Sequence, residues 1–310
     1  MKENSNRSRA SLRASARKQI ITAKIAPYIF ISPFFILFAI FMIYPICYSL
    51  ILSLHEFQGI ASKSFVGFRN YLELFKTRRF LYALSNTTRF AGGMLVFSVV
   101  TAFFLGLILN SKRITGRNFF RLALFLPVLT STVVAGALFR LILVDTSAGL
   151  LNSAIKIFGI PPQRWLFGNL WALKSVILVA CWRTLGLNTV YFIAGLQGLP
   201  SELYESAVID GASPFQQLRY LTVPLMRPVI AFVAVITLIQ SYLVFTEVFM
   251  LSPATGSTRD NMITLGYYLY ESAFRFFKFG SGASVGFVMT VIILLLSVFQ
   301  LQLLGVFRKE

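Results

Sequence analysis

The chain has 310 residues, of which 56% are hydrophobic and 13% charged, and its mean hydropathy is +0.73. A soluble domain of this length cannot bury so much apolar surface, so the composition excludes that class and indicates a membrane protein. The formal net charge is +18, which by itself would suit a nucleic-acid partner. The basic residues instead lie in short segments between long apolar runs, where they act as orientation signals. We therefore expect membrane lipid around this chain and no nucleic-acid partner.

Residue types that carry chemistry are scarce in this sequence. The two cysteines, Cys47 and Cys181, lie inside apolar runs and lack the spacing of a metal site or a disulfide framework. The single histidine, His55, falls at the outer end of the first apolar run, at an interfacial position. No carboxylate pair or His/Cys cluster suggests a metal, a nucleophile–base pair is hard to assemble, and no phosphate-binding loop of the form Gly-x-x-x-x-Gly-Lys-Ser/Thr occurs. We therefore predict no catalytic residue, no metal site, no cofactor in this chain and no enzyme activity.

Taken in chain order, the sequence begins with a basic segment and continues with six apolar runs. Residues 1–24 are rich in Arg, Lys and Ser without apolar periodicity, which predicts a flexible cytoplasmic tail. The apolar runs are each close to the roughly 20 residues that a spanning helix needs. They occupy residues 25–54, 90–109, 119–143, 170–196, 229–251 and 283–306. The first run is too long for a signal peptide, and Pro33 and Pro45 predict a kink or tilt within it.

The fold class follows from these runs. We predict an all-α integral membrane protein with six transmembrane helices, formed by one domain at 25–307 and followed by a cytoplasmic end at 308–310. An even number of spans places both termini on one side of the membrane. With the N-terminus inside, the cytoplasmic segments hold more Lys and Arg than the opposite loops. This bias predicts cytoplasmic N- and C-termini in the cell (cytoplasmic) membrane and places the loop at 198–228 in the cytoplasm.

The loop at 198–228, between the fourth and fifth spans, contains signals for two short helices. Pro200 ends the preceding helix, and Ser201 is a favourable N-cap for the next one. Asp210-Gly211 predicts the end of that helix, because glycine tolerates the left-handed conformation of a C-terminal cap. Ser213-Pro214 then predicts a second helix start.

The first of these short helices has an acidic start and an apolar stripe. Glu202 and Glu205 place negative charge in its first turns, where the helix dipole favours it. The stripe pairs residues four apart, namely Leu203 with Ala207 and Tyr204 with Val208. A helix this short is not stable alone, so we expect it to dock into a partner.

The same loop carries a resemblance to a known family. Glu205-Ser206-Ala207, Asp210-Gly211-Ala212 with Phe215, and Leu-Thr-Val-Pro-Leu at 221–225 resemble the EAA loop of permeases in binding-protein-dependent ATP-binding-cassette importers. The wider form Leu-Pro-x-x-x-Tyr-Glu-x-Ala-x-x-Asp-Gly-Ala is similar to the carbohydrate-uptake branch, the maltose-type permeases. A Val-Gly-x-x-Asn-Tyr segment at 66–71 also matches this family. The one departure is Ser206, where the pattern has alanine, and both residues are small. The resemblance covers residues 25–307.

The resemblance implies a type I importer-like fold with a cytoplasmic coupling helix between spans four and five. It implies a second homologous permease subunit, two ATP-binding subunits that hold ATP and Mg, an extracytoplasmic solute-binding protein and a carbohydrate substrate. The residues expected to couple this chain to an ATP-binding subunit are Glu202, Tyr204, Glu205, Ala207, Asp210, Gly211, Ala212 and Phe215.

Two spans carry polar side chains at helical spacing. Thr184, Asn188 and Tyr191 recur on the fourth span, and Thr237, Gln240 and Ser241 share a face of the fifth. Polar groups in hydrocarbon are costly unless they face a cavity or a neighbouring helix. These residues therefore either line a substrate path or hydrogen-bond adjacent helices, and the sequence leaves both interpretations open.

Two ionisable residues within the spans form a candidate ion pair. Arg183 and Glu247 both fall in the outer leaflet at a rise of about 1.5 Å per residue, and antiparallel neighbouring helices would let them meet. Arg140 lies about as far out and is a competing partner. Snorkelling of the arginine to the outer interface is the alternative explanation.

The resemblance implies that the chain moves a sugar or related carbohydrate, powered by ATP hydrolysis on separate subunits. One alternative is a permease of the same class for another solute such as glycerol phosphate. A second is an ion-coupled secondary transporter, which is expected to need intramembrane carboxylates near the midplane of repeated halves. Glu247 is the only span carboxylate and no repeat is visible, which argues against that class. A membrane-embedded enzyme lacks a catalytic constellation.

Overall fold

The computed structural model describes residues 25–59, 63–111, 114–252 and 260–305. The predicted tail at 1–24, the end at 308–310 and the last residue of the sixth predicted span lie outside the described residues. Within the described ranges the chain is mostly helical, and its only sheet is a two-stranded antiparallel ribbon. In this ribbon β1 (His55–Glu56) pairs with β2 (Ser64–Phe65).

The helices differ widely in length, and only some of them reach the length of a membrane span. In chain order they are α1 (Ile25–Ser53), α2 (Arg69–Lys76), α3 (Arg78–Asn110), α4 (Arg117–Leu129), α5 (Thr132–Ile142), α6 (Leu150–Lys156), α7 (Ala172–Gln197), α8 (Ser201–Ile209), α9 (Pro214–Leu225), α10 (Arg227–Tyr242), α11 (Thr246–Leu251), α12 (Leu265–Tyr270) and α13 (Phe279–Leu303). Four of them, α1, α3, α7 and α13, are long and apolar enough to cross a membrane, and the described residues provide six spans if each of two bent pairs counts as one.

The first, second, fourth and sixth predicted spans are present as single helices, with shifted ends. The largest shift is in α3, which begins at Arg78 rather than at residue 90. Its first turns are polar, so hydropathy does not identify them, yet Asn86 and Thr87 are buried there. In α1 a π-helical turn at Ala39–Ile43 immediately precedes Tyr44-Pro45. The proline has no N–H to donate to the preceding turn, which accounts for this irregularity.

The third predicted span, 119–143, is not one continuous helix. The structure divides it into α4 and α5, which are bent by 98° relative to each other. Pro127 near the end of α4 lacks a backbone donor and its ring crowds the preceding turn, which weakens the helix there. Thr130 and Ser131 then take extended backbone angles with ψ of 129° and 136°. The predicted run at 119–143 is therefore two helices, which count as one span only if the bent pair is taken together.

The fifth predicted span, 229–251, is also interrupted. Helix α10 ends at Tyr242, residues 243–245 break the helix, and α11 begins at Thr246. At its other end α10 meets α9 at a bend of 65°. The break has no proline or glycine to reveal it in the sequence. A residue from further along the chain hydrogen-bonds the backbone at the break, because Thr264 Oγ1 donates to the Val244 carbonyl at 3.0 Å.

Helix α7 is the centre of the packing. It contacts α3, α4, α5, α10 and α11, whereas the most apolar window of α1 contains no buried residue. The contact of α7 with α4 is backbone to backbone at Gly186. A Cβ at this glycine would overlap the Leu124 carbonyl oxygen and lie 3.0 Å from Phe125 Cα. Small residues at such crossings let membrane helices approach closely.

We expect Gly186→Ala to push α4 away from α7 and to lower the free energy of unfolding by about 1–3 kcal/mol. Gly92→Ala, in α3, is the matched control, because a Cβ there meets nothing within 4 Å. The control should be neutral or slightly stabilising, since alanine is the better helix former. Thermal denaturation of both purified variants in detergent checks this, and equal melting temperatures would show that the close crossing does not matter.

Candidate functional site

A cavity of about 370 Å³ lies where α3, α7 and α10 meet the break at 243–245 and the start of α5. Most of the polar residues that the sequence singled out within the spans line it. These are Arg183, Thr184, Asn188, Thr237, Gln240, Ser241 and Glu247. Tyr191 is not among the described lining residues, because it lies one turn beyond Asn188, and its ring packs edge-on against Phe232 with centroids 5.4 Å apart.

Some of these polar side chains hold the helices together. Asn188 on α7 is buried, and its Nδ2 donates to Ser98 Oγ of α3 at 3.0 Å and to Thr237 Oγ1 of α10 at 3.5 Å. One amide therefore joins three helices, which matches the interpretation of interhelical hydrogen bonding. Ser98 lies in the π-helical turn Leu95–Val99 and was not identified from the sequence. A single serine in an apolar run gives no periodic signal.

Other polar side chains are satisfied locally or face the cavity. Thr184 Oγ1 donates to the Ala180 carbonyl at 2.9 Å, and Ser241 Oγ donates to the Thr237 carbonyl at 2.6 Å, each one turn back along its own helix. Gln240 is exposed at the cavity wall. Its amide is free to meet a bound molecule, so among these residues Gln240 fits the interpretation of a substrate path best.

Arg183 and Glu247 form an ion pair across the cavity wall. Arg183 Nη2 lies 3.0 Å from Glu247 Oε1, and the two side chains are 27% and 9% exposed. The break at 243–245 makes this possible, because it places Glu247 in the first turn of α11, directly across from α7. Glu247 thus pairs with Arg183 rather than with Arg140.

The loop at 198–228 forms the two predicted helices, with one correction. Helix α8 begins at Ser201 itself, so its N-cap is Pro200 and no side chain caps this end. The prediction that Ser201 is the N-cap was therefore wrong by one residue. The predicted end at Asp210-Gly211 is confirmed. Gly211 has φ +76°, its N–H donates to the Val208 carbonyl at 3.0 Å, and the Ala212 N–H donates to the Ala207 carbonyl at 2.8 Å.

The second helix, α9, is fastened to its start and to α8. Ser213 and Gln216 form a reciprocal capping box, in which the Ser213 N–H donates to Gln216 Oε1 at 2.7 Å. The hydroxyls of Tyr204 on α8 and Thr222 on α9 are 3.0 Å apart. These contacts hold the two short helices as one unit.

This unit presents its apolar and acidic side chains to the outside. No residue of α8 is buried, and Ile209 and Phe215 are 85% and 73% exposed. Glu202, Glu205 and Asp210 are also exposed. A surface depression of about 330 Å³ is lined by Ala207, Asp210, Gly211, Ala212, Gln216, Gln217, Tyr220 and Leu221. Exposed large apolar residues such as Ile209 and Phe215 are typical of a docking surface.

A further cluster of charged residues, around Glu271, was not predicted from the sequence. The Glu271 side chain is 2% exposed, and its oxygens lie 2.7 Å from Arg79 Nη2 and 3.2 Å from Arg275 Nη1. Arg79 Nη1 also lies 3.2 Å from Asp260 Oδ1. The spacing of Glu271 and Arg275 was a usable signal, whereas Arg79 was interpreted only as an orientation signal. No group of three or more His, Cys, Asp or Glu in the described part of the chain is placed to hold a metal ion.

Comparison with known proteins gives consistent matches. A family model described as "Binding-protein-dependent transport system inner membrane component" matches residues 74–307. The chain is 37% identical over 303 residues to the Arabinooligosaccharides transport system permease protein AraP of Bacillus subtilis, covering 97% of this chain and 95% of that protein. It is 32% identical over 276 residues to the Lactose transport system permease protein LacF of Rhizobium radiobacter, covering 88% and 92%.

The fold has a counterpart among solved structures. One chain of a bacterial ABC transporter involved in the import of the acidic polysaccharide alginate superimposes with a TM-score of 0.82 at 24% sequence identity. The match covers 94% of this chain and 100% of the other. The chain therefore shares its overall fold with a chain of a solved transporter.

The two roles of the polar residues are separable by substitution. We expect Asn188→Leu to lower the free energy of unfolding by roughly 0.6–2 kcal/mol, because it removes hydrogen bonds that join three helices. Gln240→Leu is the control, since it replaces an exposed side chain at the cavity wall and should change stability by less than about 0.5 kcal/mol. Unfolding of the purified variants in detergent checks both values. Equal losses would assign Gln240 to interhelical packing as well.

Proposed function

Because the chain belongs to the family of inner membrane components of binding-protein-dependent transport systems, we propose that it is the permease subunit of an ATP-binding-cassette importer that takes up a carbohydrate. The observation that carries the proposal is the 37% identity to an arabinooligosaccharide permease across 97% of the chain. The relative from Rhizobium radiobacter, a lactose permease, supports the same substrate class. Residues 74–307 match the family model, so both the cavity and the loop at 198–228 lie inside the matched region.

We propose that the chain sits in the cytoplasmic membrane with both termini in the cytoplasm, beside a second homologous permease subunit. Two ATP-binding subunits hold ATP and Mg on the cytoplasmic side, and an extracytoplasmic solute-binding protein delivers the carbohydrate. The excess of basic residues on the N-terminal side of the membrane supports this orientation. The family description itself names dependence on a binding protein.

The unit formed by α8 and α9 couples the chain to an ATP-binding subunit in this proposal. Its exposed Ile209 and Phe215 supply the apolar contact, and Glu202, Glu205 and Asp210 supply charged contacts at the rim. Movement of that subunit during ATP hydrolysis would then displace α8 and α9 together, because Tyr204 and Thr222 join them. Helix α10 follows α9 directly, so the displacement reaches the cavity.

The cavity between α7 and α10 is the proposed substrate site. Carbohydrate hydroxyl groups need neutral donors and acceptors, and Gln240, Thr184 and Ser241 provide them at its wall. Asn188 and Thr237 support the site by joining the helices that form it. The residues proposed for coupling precede α10, and Gln240 and Ser241 lie near its C-terminal end, so this helix connects the two regions.

The coupling role predicts a loss of partner binding for two variants. Gly211→Val adds a β-branched side chain at φ +76°, which costs about 1–2 kcal/mol and adds bulk at the docking surface. Glu205→Lys reverses charge near the start of α8 and at the rim, two unfavourable effects of roughly 0.3–1 kcal/mol each. Neither residue lies in a span, so both variants should reach the membrane in normal amounts but fail to retain the ATP-binding subunit on purification.

Gly159→Val is the matched control for the glycine substitution. Gly159 has φ +73° and open space around it, but lies beyond α6 and far along the chain from α8. Its substitution imposes the same backbone strain without touching the docking surface, so retention of the ATP-binding subunit should be normal. If Gly211→Val retains that subunit as well as Gly159→Val does, the loop is not the docking site.

The absence of a phosphate-binding loop predicts that the chain alone neither hydrolyses ATP nor takes up solute. Proteoliposomes that contain only this chain should not accumulate labelled arabinotriose under a proton or sodium gradient. Addition of the second permease, the ATP-binding subunits and the solute-binding protein should restore uptake that requires ATP. Uptake driven by an ion gradient with the chain alone would instead establish a secondary transporter.

A further inference from the structure

We infer that the Arg183–Glu247 ion pair makes the cavity select uncharged glycans over acidic ones. The inference rests on the proposed function, in which this cavity holds the transported carbohydrate, and it concerns the charge of that carbohydrate. A chain with the same fold belongs to an importer of an acidic polysaccharide, so the fold alone does not decide this charge. The selectivity for the charge of the carbohydrate must therefore come from the side chains that line the cavity.

The charged side chains that line the cavity neutralise each other. Arg183 and Glu247 are the only ionisable residues among the described residues that line it. Arg183 Nη2 and Glu247 Oε1 are 3.0 Å apart, so the positive charge is neutralised where it reaches the cavity. The rest of the wall is apolar or carries neutral hydroxyl and amide groups, such as those of Thr184 and Gln240. A molecule in this cavity therefore meets no net charge.

An acidic glycan is disfavoured in such a site for two reasons. Its carboxylates lose hydration on entry, and no unpaired cation among the described lining residues compensates for that loss. The Glu247 carboxylate also repels them at close range and already occupies Arg183. The hydroxyl groups of an uncharged glycan lose less hydration and find neutral partners in the wall. The same argument disfavours a sugar phosphate or glycerol phosphate.

The Arg183–Glu247 pair also predicts which substitution reverses the selectivity for uncharged glycans. Glu247→Gln keeps the size and shape of the side chain but removes its charge, which leaves the Arg183 guanidinium unpaired beside the cavity. Since the Arg183 side chain is 27% exposed, it is accessible to a bound carboxylate. An acidic glycan should then gain a charge-assisted hydrogen bond that the native protein denies it. Replacing both members of the pair by glutamine removes this gain, because the cavity is again without net charge.

The test compares neutral and acidic trisaccharides on the purified importer in detergent, without its solute-binding protein, by isothermal titration. The neutral probes are arabinotriose and maltotriose, and the acidic probe is an alginate trisaccharide. The native complex should bind a neutral probe at least about tenfold more tightly than the acidic one. Glu247→Gln should bind the acidic probe about tenfold more tightly than the native complex does, and added salt should reduce this gain. The double variant Arg183→Gln with Glu247→Gln should lose it.

Glu73→Gln is the matched control, because Glu73 pairs with Arg69 on the exposed surface of α2, away from the cavity. It should leave the affinity for all three probes unchanged. Tighter binding of the acidic probe by the native complex, or no gain in Glu247→Gln, would overturn the charge inference while carbohydrate binding stands. Failure of every probe to bind both the native complex and the variants would overturn the inference together with the proposed substrate site.

Discussion

The architecture depends on how the backbone polar groups at the break between α10 and α11 are hydrogen-bonded inside the membrane domain. A break in a spanning helix exposes backbone polar groups that lipid cannot bond, so protein groups must pair with them. Here Thr264 bonds the Val244 carbonyl, and the Leu265 N–H donates to Thr87 Oγ1 of α3 at 2.8 Å. Asn86, one residue before, donates to the Ile263 carbonyl at 3.0 Å. The segment that follows α11 is thereby attached both to the break and to α3.

This arrangement explains why the cavity lies where it does. A continuous helix through residues 243–245 would carry Glu247 along the axis of α10, whereas the break turns α11 and brings the carboxylate to Arg183. The bend between α4 and α5 places Val128 and Thr132 in the wall of the same cavity, and Gly186 lets α4 approach α7 closely. Two interruptions and one close crossing therefore combine to open a polar space among helices that are otherwise apolar.

Features with local causes could be predicted from the sequence, and features with distant causes could not. The end of α8 at Gly211 and the start of α9 at Ser213 depend on neighbouring residues, so the sequence predicted them within a residue. The break after Tyr242 consists of Leu, Val and Phe, which hydropathy cannot distinguish from a span, and the residue that bonds its Val244 carbonyl, Thr264, lies 20 positions further along the chain. The Arg183–Glu247 pair was predictable because few charges lie in the spans, and a cavity beside it was one of the two interpretations that the polar spacing left open.

The contacts of α3 also set an order of events during synthesis. Arg79 bonds Glu271 across 192 residues of chain, and Asn86 bonds Ile263 across 177. At about 5–20 residues per second, roughly 10–40 s pass between translation of Arg79 and of its partner. Throughout that interval Glu271 and Ile263 have not been synthesised, so these two contacts near the N-terminal end of α3 cannot form. This end of the bundle is therefore completed last, only after most of the chain has been synthesised.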